Sequence, residues 1–461
     1  MKLGLQNIKF VYFIGIGGIG MSALARYFLS KNIEVAGYDR TGSPLTDELV
    51  KEGIAIHYKD DILLIPDVFK NAETTLVVYT PAVPENLSEL TFFQSNGFDV
   101  LKRSQVLGLI TESSRGLCIA GTHGKTTTSS ILAHLLKQSC VDCNAFLGGI
   151  LKNYDRNLLL SSYSDLTVIE ADEYDRSFYQ LTPYMAVITS ADPDHLDIYG
   201  TPEAYRESFE VFTSLIRPDG VLLMKSGIDV TPRVQSGVKI YTYSATDSGA
   251  DFRAENVKIG NGEIYFDFAG PSIYIADIQL GVPVRINIEN SIAAIAAAWL
   301  NGVSSVEIKN AIKSFAGVKR RFDFYLKSDH MVLIDDYAHH PEELKNSILS
   351  VKELYADRKV TGIFQPHLYS RTRDFAVEFA KSLSLLDELI LLDIYPAREE
   401  PIPGVSSGII FDRVMIQQKV LCSKEQLPDL MQSGSYDVVL MLGAGDIDRM
   451  VEPIKSILED K

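Results

Sequence analysis

The sequence predicts an α/β chain in which parallel sheets and crossover helices are divided among three blocks. Three observations carry that prediction. The chain has 461 residues, and single cores stop growing near about 250–300 residues. Short apolar runs of strand length alternate with helical stretches along most of it. Two glycine-rich turns each follow a strand-like run and open a helix.

The first block covers residues 1–107. Lys9 to Ile16 reads as an apolar strand, Gly15 to Gly20 as a turn and Met21 to Lys31 as a helix. Ile33 to Tyr38 is the next strand, ending at Asp39, and Thr75 to Tyr79 is a later one, followed by Thr80 and Pro81. The second block, residues 108–314, opens with a strand at Leu117 to Ala120 and a helix at Thr126 to Gln138. Strands at Leu166 to Glu170 and Met185 to Thr189 follow. Then come β-rich alternation over 237–285 and an alanine-rich helix from Asn287 to Leu300. The third block, residues 315–461, has strands at Val332 to Ile334, Val360 to Phe364, Glu388 to Leu392 and Val438 to Leu442.

Hydrophobic residues make up 46% and charged residues 23%, ordinary values for a soluble globular protein. The formal net charge of -16 argues against nucleic acid or an acidic membrane as a partner, since both want a basic face. It leaves room for an anionic small ligand in a locally basic pocket. Four cysteines are too few for a disulfide scaffold, and the lone Cys140-x-x-Cys143 has no second pair to complete a zinc site. The N-terminus shows no signal peptide, and no apolar run reaches the ~20 residues that span a bilayer. A cytoplasmic location is expected.

The strongest local signal is Gly121-Thr122-His123-Gly124-Lys125-Thr126-Thr127 between a strand and a helix. Glycines there let backbone N–H groups point at phosphate oxygens, and the helix start adds a positive end. Lys125 is placed to neutralise terminal phosphates and the Thr126 hydroxyl to bind Mg2+. The common pattern has glycine where Ile119 stands, so this loop is a variant. The earlier turn, with Gly15, Gly17, Gly18, Ile19 and Gly20, has Asp39 about 20 residues on, as in dinucleotide sites. A nicotinamide dehydrogenase needs no second phosphate loop. The two loops point to two phosphorylated ligands, ATP at the second and a nucleotide diphosphate at the first.

Further clusters fall at strand ends, where open α/β sheets bind ligands. Glu170-Ala171-Asp172-Glu173 and Asp192-Pro193-Asp194-His195 offer carboxylate and imidazole for a divalent cation. Asp335-Asp336-Tyr337-Ala338-His339-His340 and Gln365-Pro366-His367-Leu368-Tyr369-Ser370-Arg371 follow strands of the third block. Arg371 is a bidentate clamp for an amino-acid carboxylate.

Taken in order, GIGGIGM, GTHGKTTT, EADE, DHLDIYG, FAGVKRRFD, DDYAHHP and FQPHLYSRTRD resemble the Mur ligases of peptidoglycan synthesis over essentially the whole chain. The resemblance implies three domains: a Rossmann-like N-terminal domain for a UDP-sugar, a central P-loop ATPase-like parallel sheet with a small β-rich part, and a Rossmann-like C-terminal domain on the amino-acid side. It implies ATP and Mg2+ as cofactors, with two metal sites and Mn2+ able to substitute. UDP-N-acetylmuramate and L-alanine are the implied substrates, and a monomer or weak homodimer the implied assembly. The implied reaction activates the lactyl carboxylate as an acyl phosphate, which the amine then attacks.

Carried over by motif, Lys125, Glu170, His195 and Arg371 serve catalysis, with Thr126, Glu170 and His195 as metal ligands. Gly121 to Thr127 hold ATP, with Asn287 and Asn290 on its adenine side and Arg321 and Asp335 at its nucleoside. Gly15, Gly17, Gly18, Ile19, Gly20, Asp39, Thr80, Pro81 and His123 face the UDP-sugar, while Tyr337, His339, His367 and Arg371 face the amino acid. Two positions depart: the family commonly has His at Ile286 and Arg at Leu368. Later ligases of the pathway carry a modified lysine soon after the DH motif. None occurs here between His195 and Lys225, as in the alanine-adding branch. The rivals are a tripeptide ligase of murein recycling, a nucleotide-dependent regulatory protein without turnover, and a dehydrogenase resting on the first loop alone.

Overall fold

The computed structural model describes residues 8–80, 82–397 and 399–460. Pro81 of the proposed sugar site lies outside the described residues. The chain forms two compact units. One takes the chain up to Arg253 with Ala269–Ile273 and Asn290–Ala311. The other takes Ala254–Phe268, Tyr274–Glu289 and the chain from Ile312 on.

In the first unit, β1 (Phe10–Ile14), β2 (Glu34–Tyr38), β3 (Ala55–His57), β4 (Thr75–Tyr79) and β5 (Asp99–Lys102) make a parallel sheet ordered β3-β2-β1-β4-β5. Fully buried Val11, Tyr12, Phe13 and Ile14 explain why β1 takes its centre. The order reverses at β1, so the crevice beyond its C-terminal end is where such a sheet binds a ligand.

A second sheet begins with β6 (Arg115–Ala120), continues through β7 (Asn144–Leu151), β8 (Arg156–Leu159), β9 (Leu166–Glu170), β10 (Pro183–Ile188) and β11 (Val221–Lys225), and reaches β12 (Lys239–Ser244). Its order is β12-β11-β10-β6-β9-β7-β8, with β8 antiparallel to β7. β6 is parallel to both β9 and β10, so the loops after these three strands open at one edge. The β-rich stretch follows as β13 (Phe252–Gly260), β14 (Glu263–Gly270) and β15 (Ile273–Gln279), neighbours in that order.

In the second unit, β16 (Asp323–Lys327), β17 (Val332–Asp336), β18 (Val360–Phe364), β19 (Glu388–Leu391), β20 (Gln418–Leu421) and β21 (Val438–Leu442) form a sheet ordered β16-β17-β21-β18-β19-β20. Only β16 runs antiparallel, against β17. The continuous apolar run of β21, fully buried from Val438 to Leu442, suits its place between two parallel neighbours. The fold is therefore α/β with three parallel-sheet parts, as the sequence predicts.

Candidate active site

The helix Lys125–Lys137 starts directly after the loop that leaves β6. Gly121 has φ +141 and Gly124 φ +85, conformations that L side chains rarely adopt. A Cβ on Gly121 would sit 2.1 Å from Thr189 Oγ1, so that position has no room for one. The loop is pinned from the end of β10. Ser190 Oγ accepts from His123 N at 2.8 Å, and Thr189 Oγ1 donates to His123 O at 2.5 Å. Thr122 Oγ1 donates to Asp192 O at 2.7 Å. The His123 side chain is exposed, and Thr127 is half-buried on the first turn of the helix.

Lys125 Nζ donates to Gly121 O at 2.6 Å and lies 2.8–2.9 Å from both carboxylate oxygens of Glu173. Glu173 is buried, and burial is the main influence pushing its carboxyl upward, against the pull of the Lys125 ammonium. Thr126 Oγ1 donates to Glu170 Oε1 at 3.0 Å, and Gly148 N donates to Glu170 Oε2 at 3.1 Å. His195 Nε2 lies 4.0 Å from Glu173 Oε1 and 3.8 Å from Asp194 Oδ2. The structure thus brings Lys125, Thr126, Glu170 and His195 to one strand edge. It adds Glu173, which the sequence offered only as one acid of the EADE cluster. The signal was present, in the last acid of EADE, but nothing in a sequence says which of two glutamates three residues apart meets the lysine.

Asn290 completes the loop floor: its Oδ1 accepts from Thr128 Oγ1 at 3.3 Å, and a Cβ on Gly124 would fall 2.8 Å from it. Asn287, in the first turn of the same helix Arg285–Leu300, donates to Val282 O at 3.2 Å. Ile286, just before Asn287, is 48% exposed, so nothing in the fold demands an apolar residue where the family has His.

At the first glycine turn, Gly15 has φ +84, and a Cβ there would lie 2.6 Å from Thr80 Cγ2. Gly17 N donates to Asp39 Oδ2 at 2.7 Å, and Thr41 N donates to Asp39 Oδ1 at 3.2 Å. A dinucleotide site directs that acid at a ribose hydroxyl. Here both its oxygens hold backbone, which weakens the dehydrogenase reading. Gly18 caps the helix that starts at Ile19, and Gly20 lies under Arg103, whose Nη1 is 2.1 Å from where a Cβ would be. Arg103 pairs with Asp172 at 3.1 Å.

In the second unit, Asp335 at the end of β17 is fully buried, and burial pushes its carboxyl up to about 7. Neither of its oxygens has a hydrogen-bond partner among the described residues. The nearest cation is Arg320, not Arg321: Arg320 Nε lies 3.9 Å from Asp335 Oδ2. Both guanidinium groups stack on Tyr337, at 4.9 and 5.1 Å. A line of rings continues from Tyr337 to His339 at 5.2 Å and from His339 to His367 at 6.0 Å. Burial pushes the His339 imidazole below its usual range, with Glu343 opposing. Arg371 sits in the short helix Tyr369–Asp374 and forms no ion pair among the described residues. Leu368, just before that helix, has φ +71.

The family models match along the chain: "Mur ligase family, catalytic domain" at residues 10–115, "Mur ligase middle domain" at 119–298 and "Mur ligase, glutamate ligase domain" at 320–445. The chain is 70% identical over 456 residues to a UDP-N-acetylmuramate–L-alanine ligase of Parabacteroides distasonis, covering 99% of this chain and 98% of that one. It is 59% identical to the same-named protein of Phocaeicola vulgatus over the full length of both. The crystal structure of the UDP-N-acetylmuramate-alanine ligase of Thermotoga maritima superposes with TM-score 0.80 at 28% identity, covering 98% of each chain. A murein peptide ligase of Psychrobacter arcticus shares the fold, with TM-score 0.67 at 22% identity over 98% of this chain and 99% of that one. With the matched regions covering most of its length, the chain belongs to the Mur ligase family.

Proposed function

We propose that the chain is an ATP-dependent ligase joining L-alanine to the lactyl carboxylate of UDP-N-acetylmuramate in peptidoglycan precursor synthesis. The observation that carries this is the loop after β6, with Lys125 against Glu173 and Thr126 against Glu170, in a chain 70% identical to a ligase of that name. In this reading residues 1–107 bind the UDP-sugar, 108–314 bind ATP and 315–461 serve the amino-acid side. The enzyme works in the cytoplasm as a monomer or weak homodimer. No helix among the described residues is long and apolar enough to cross a membrane.

In the first step an oxygen of the lactyl carboxylate bonds to the γ-phosphorus of ATP, and the bond to the ADP oxygen breaks. That yields ADP and an acyl phosphate. The alanine amine then attacks the acyl carbon, phosphate leaves, and the amine releases a proton. Two anions meet in the first step, so the chain's task is to offset charge and hold geometry. Lys125 and the backbone N–H groups of Gly121 to Thr127 receive phosphate oxygens. Asn287 and Asn290 serve the adenine side, and Arg321 and Asp335 the nucleoside. Gly15 to Gly20, Asp39, Thr80 and His123 hold the UDP-sugar. Arg371, with Tyr337, His339 and His367, receives the alanine carboxylate.

The Thr126 hydroxyl and the Glu170 carboxylate, 3.0 Å apart, are hard oxygen donors that suit Mg2+, with His195 close to their strand edge. No group of three His, Cys, Asp or Glu among the described residues could hold a metal by itself. Mg2+ commonly keeps several waters and phosphate oxygens in its shell, and Mn2+ can replace it. When bound, the cation offsets phosphate charge.

The test is phosphate release with UDP-N-acetylmuramate and ATP, offered L-alanine, L-serine, glycine or tripeptide. Release with L-alanine supports the reading. Release with tripeptide alone assigns the chain to the recycling branch, and no release with any acceptor removes the ligase reading.

A further inference from the structure

Lys125 carries three N–H donors. One goes to Gly121 O at 2.6 Å, one to the Glu173 carboxylate at 2.8–2.9 Å, and the third faces Thr122 O at 3.4 Å. The ammonium is thus held inside the loop by groups of the chain. The carboxylate that holds it is nearly sealed, with its side chain 3% exposed. Tyr199 OH donates to the Glu173 carbonyl at 2.5 Å, which fixes the segment. Glu173 closes the 170–173 turn, which is also fastened through Thr126 on Glu170 and Arg103 on Asp172.

We propose that Glu173 is a positioning residue that acts through Lys125 as a latch, occupying the lysine's charge in the nucleotide-free loop and recapturing it as ADP departs. This rests on the reading of residues 121–127 as the ATP loop. A phosphate and a buried carboxylate compete for one ammonium. Every molecule latched to Glu173 is one whose lysine is not on phosphate. Apparent nucleotide affinity is multiplied by the fraction of molecules that are unlatched. Because the carboxylate competes for the lysine while ADP is still leaving, the latch speeds product release, at some loss of nucleotide affinity.

The closing experiment measures metal-free ADP binding by calorimetry and ADP dissociation by fluorescent-nucleotide chase. It uses full-length wild type, Glu173→Asp and Glu173→Gln, each checked by thermal melting. Removing the charge is expected to tighten ADP binding about tenfold for a latch closed about nine-tenths of the time, and to slow dissociation by a similar factor. Glu173→Asp, which withdraws the carboxylate by one methylene, falls between the two. A damaged fold loosens binding, so a gain in affinity is not a structural side effect. If Glu173→Gln does not fold, Glu173→Asp must still bind more tightly than wild type.

Either folded variant binding ADP no more tightly than wild type overturns the latch. In a Lys125→Ala background the Glu173→Gln gain is expected to shrink below about twofold. A gain there as large as in the wild-type background assigns the effect to through-space repulsion and also overturns the latch. The loop reading is judged separately by saturable ADP binding in wild type that Lys125→Ala weakens. Absence of any ADP binding by wild type overturns the reading and the latch with it.

Discussion

The phosphate loop and the Asp335 region handle buried charge in opposite ways. Around the loop each carboxylate meets a donor: Glu173 the Lys125 ammonium, Glu170 the Thr126 hydroxyl, Asp172 the Arg103 guanidinium. At the end of β17, Asp335 is fully buried with neither oxygen hydrogen-bonded among the described residues. Arg320 Nε, 3.9 Å away, also lacks a hydrogen-bond partner among them. Unpaired buried polar groups are costly, and folds keep them where function needs them. In the first region the charged groups are answered by groups of the chain itself. In the second, the hydrogen-bonding capacity of Asp335 is unused among the described residues.

The largest effect tests the first region. Lys125→Ala removes the ammonium that the proposed function assigns to the terminal phosphates. Alanine-dependent phosphate release is expected to fall by roughly 10³-fold or more, while UDP-sugar binding persists. Phosphate release at the wild-type rate would sink the assignment of the loop.

The next effect tests the second region through pH. Burial raises the Asp335 carboxyl from 3.8 to about 7, with Asp336, Asp323 and Asp448 adding to the rise and Arg320 opposing it. Between about pH 4 and 7 the folded chain therefore holds a proton that the unfolded chain has released. The native state binds more protons in that window, so stability falls as pH rises through it and levels off above. Asp335→Asn keeps the shape and cannot ionise. At pH 8 it is expected to be more stable than wild type by on the order of 2–4 kcal/mol, with the gain vanishing below about pH 4. Denaturant unfolding at pH 4, 6 and 8 measures this, and a gain equal at all three pH values excludes titration as the cause.

The contrast also explains what was legible in the sequence. β4, β9, β18 and β21 occupy the predicted ranges to the residue, because buried parallel strands are unbroken apolar runs bounded by turns. The loop at Gly121 to Thr126 was legible because its backbone needs glycine at defined offsets. Pairing was not. Arg320 rather than Arg321 faces Asp335, in a segment where Arg320 and Phe322 take φ +62 and +46. Periodicity assigns faces only in regular elements, and that segment has no period to read. Leu368 is similar: its φ of +71 sets the entry to the helix bearing Arg371, and no leucine announces such a conformation. Glu173 escaped for a third reason, since burial decides which acid of EADE meets Lys125.

The smallest effect separates two neighbours that both answer carboxylates of the 172–175 segment. Lys102 meets Asp175 at 2.8 Å, with side chains 38% and 41% exposed. Arg103 meets Asp172 at 3.1 Å and lies against Gly20. Lys102→Ala removes an exposed pair that water and salt already screen, and is expected to cost at most ~0.5 kcal/mol. Arg103→Ala removes a less exposed pair and also the packing of its stem over the glycine turn, a cost that salt does not screen. Expected is a loss of ~1 kcal/mol that persists in 1 M salt, where the Lys102 effect vanishes. Thermal melts at low and high salt give both values. If the two losses are equal and both vanish in salt, Arg103 is only a surface charge, and the turn at Gly15 to Gly20 is held by Asp39 and Thr80 without it.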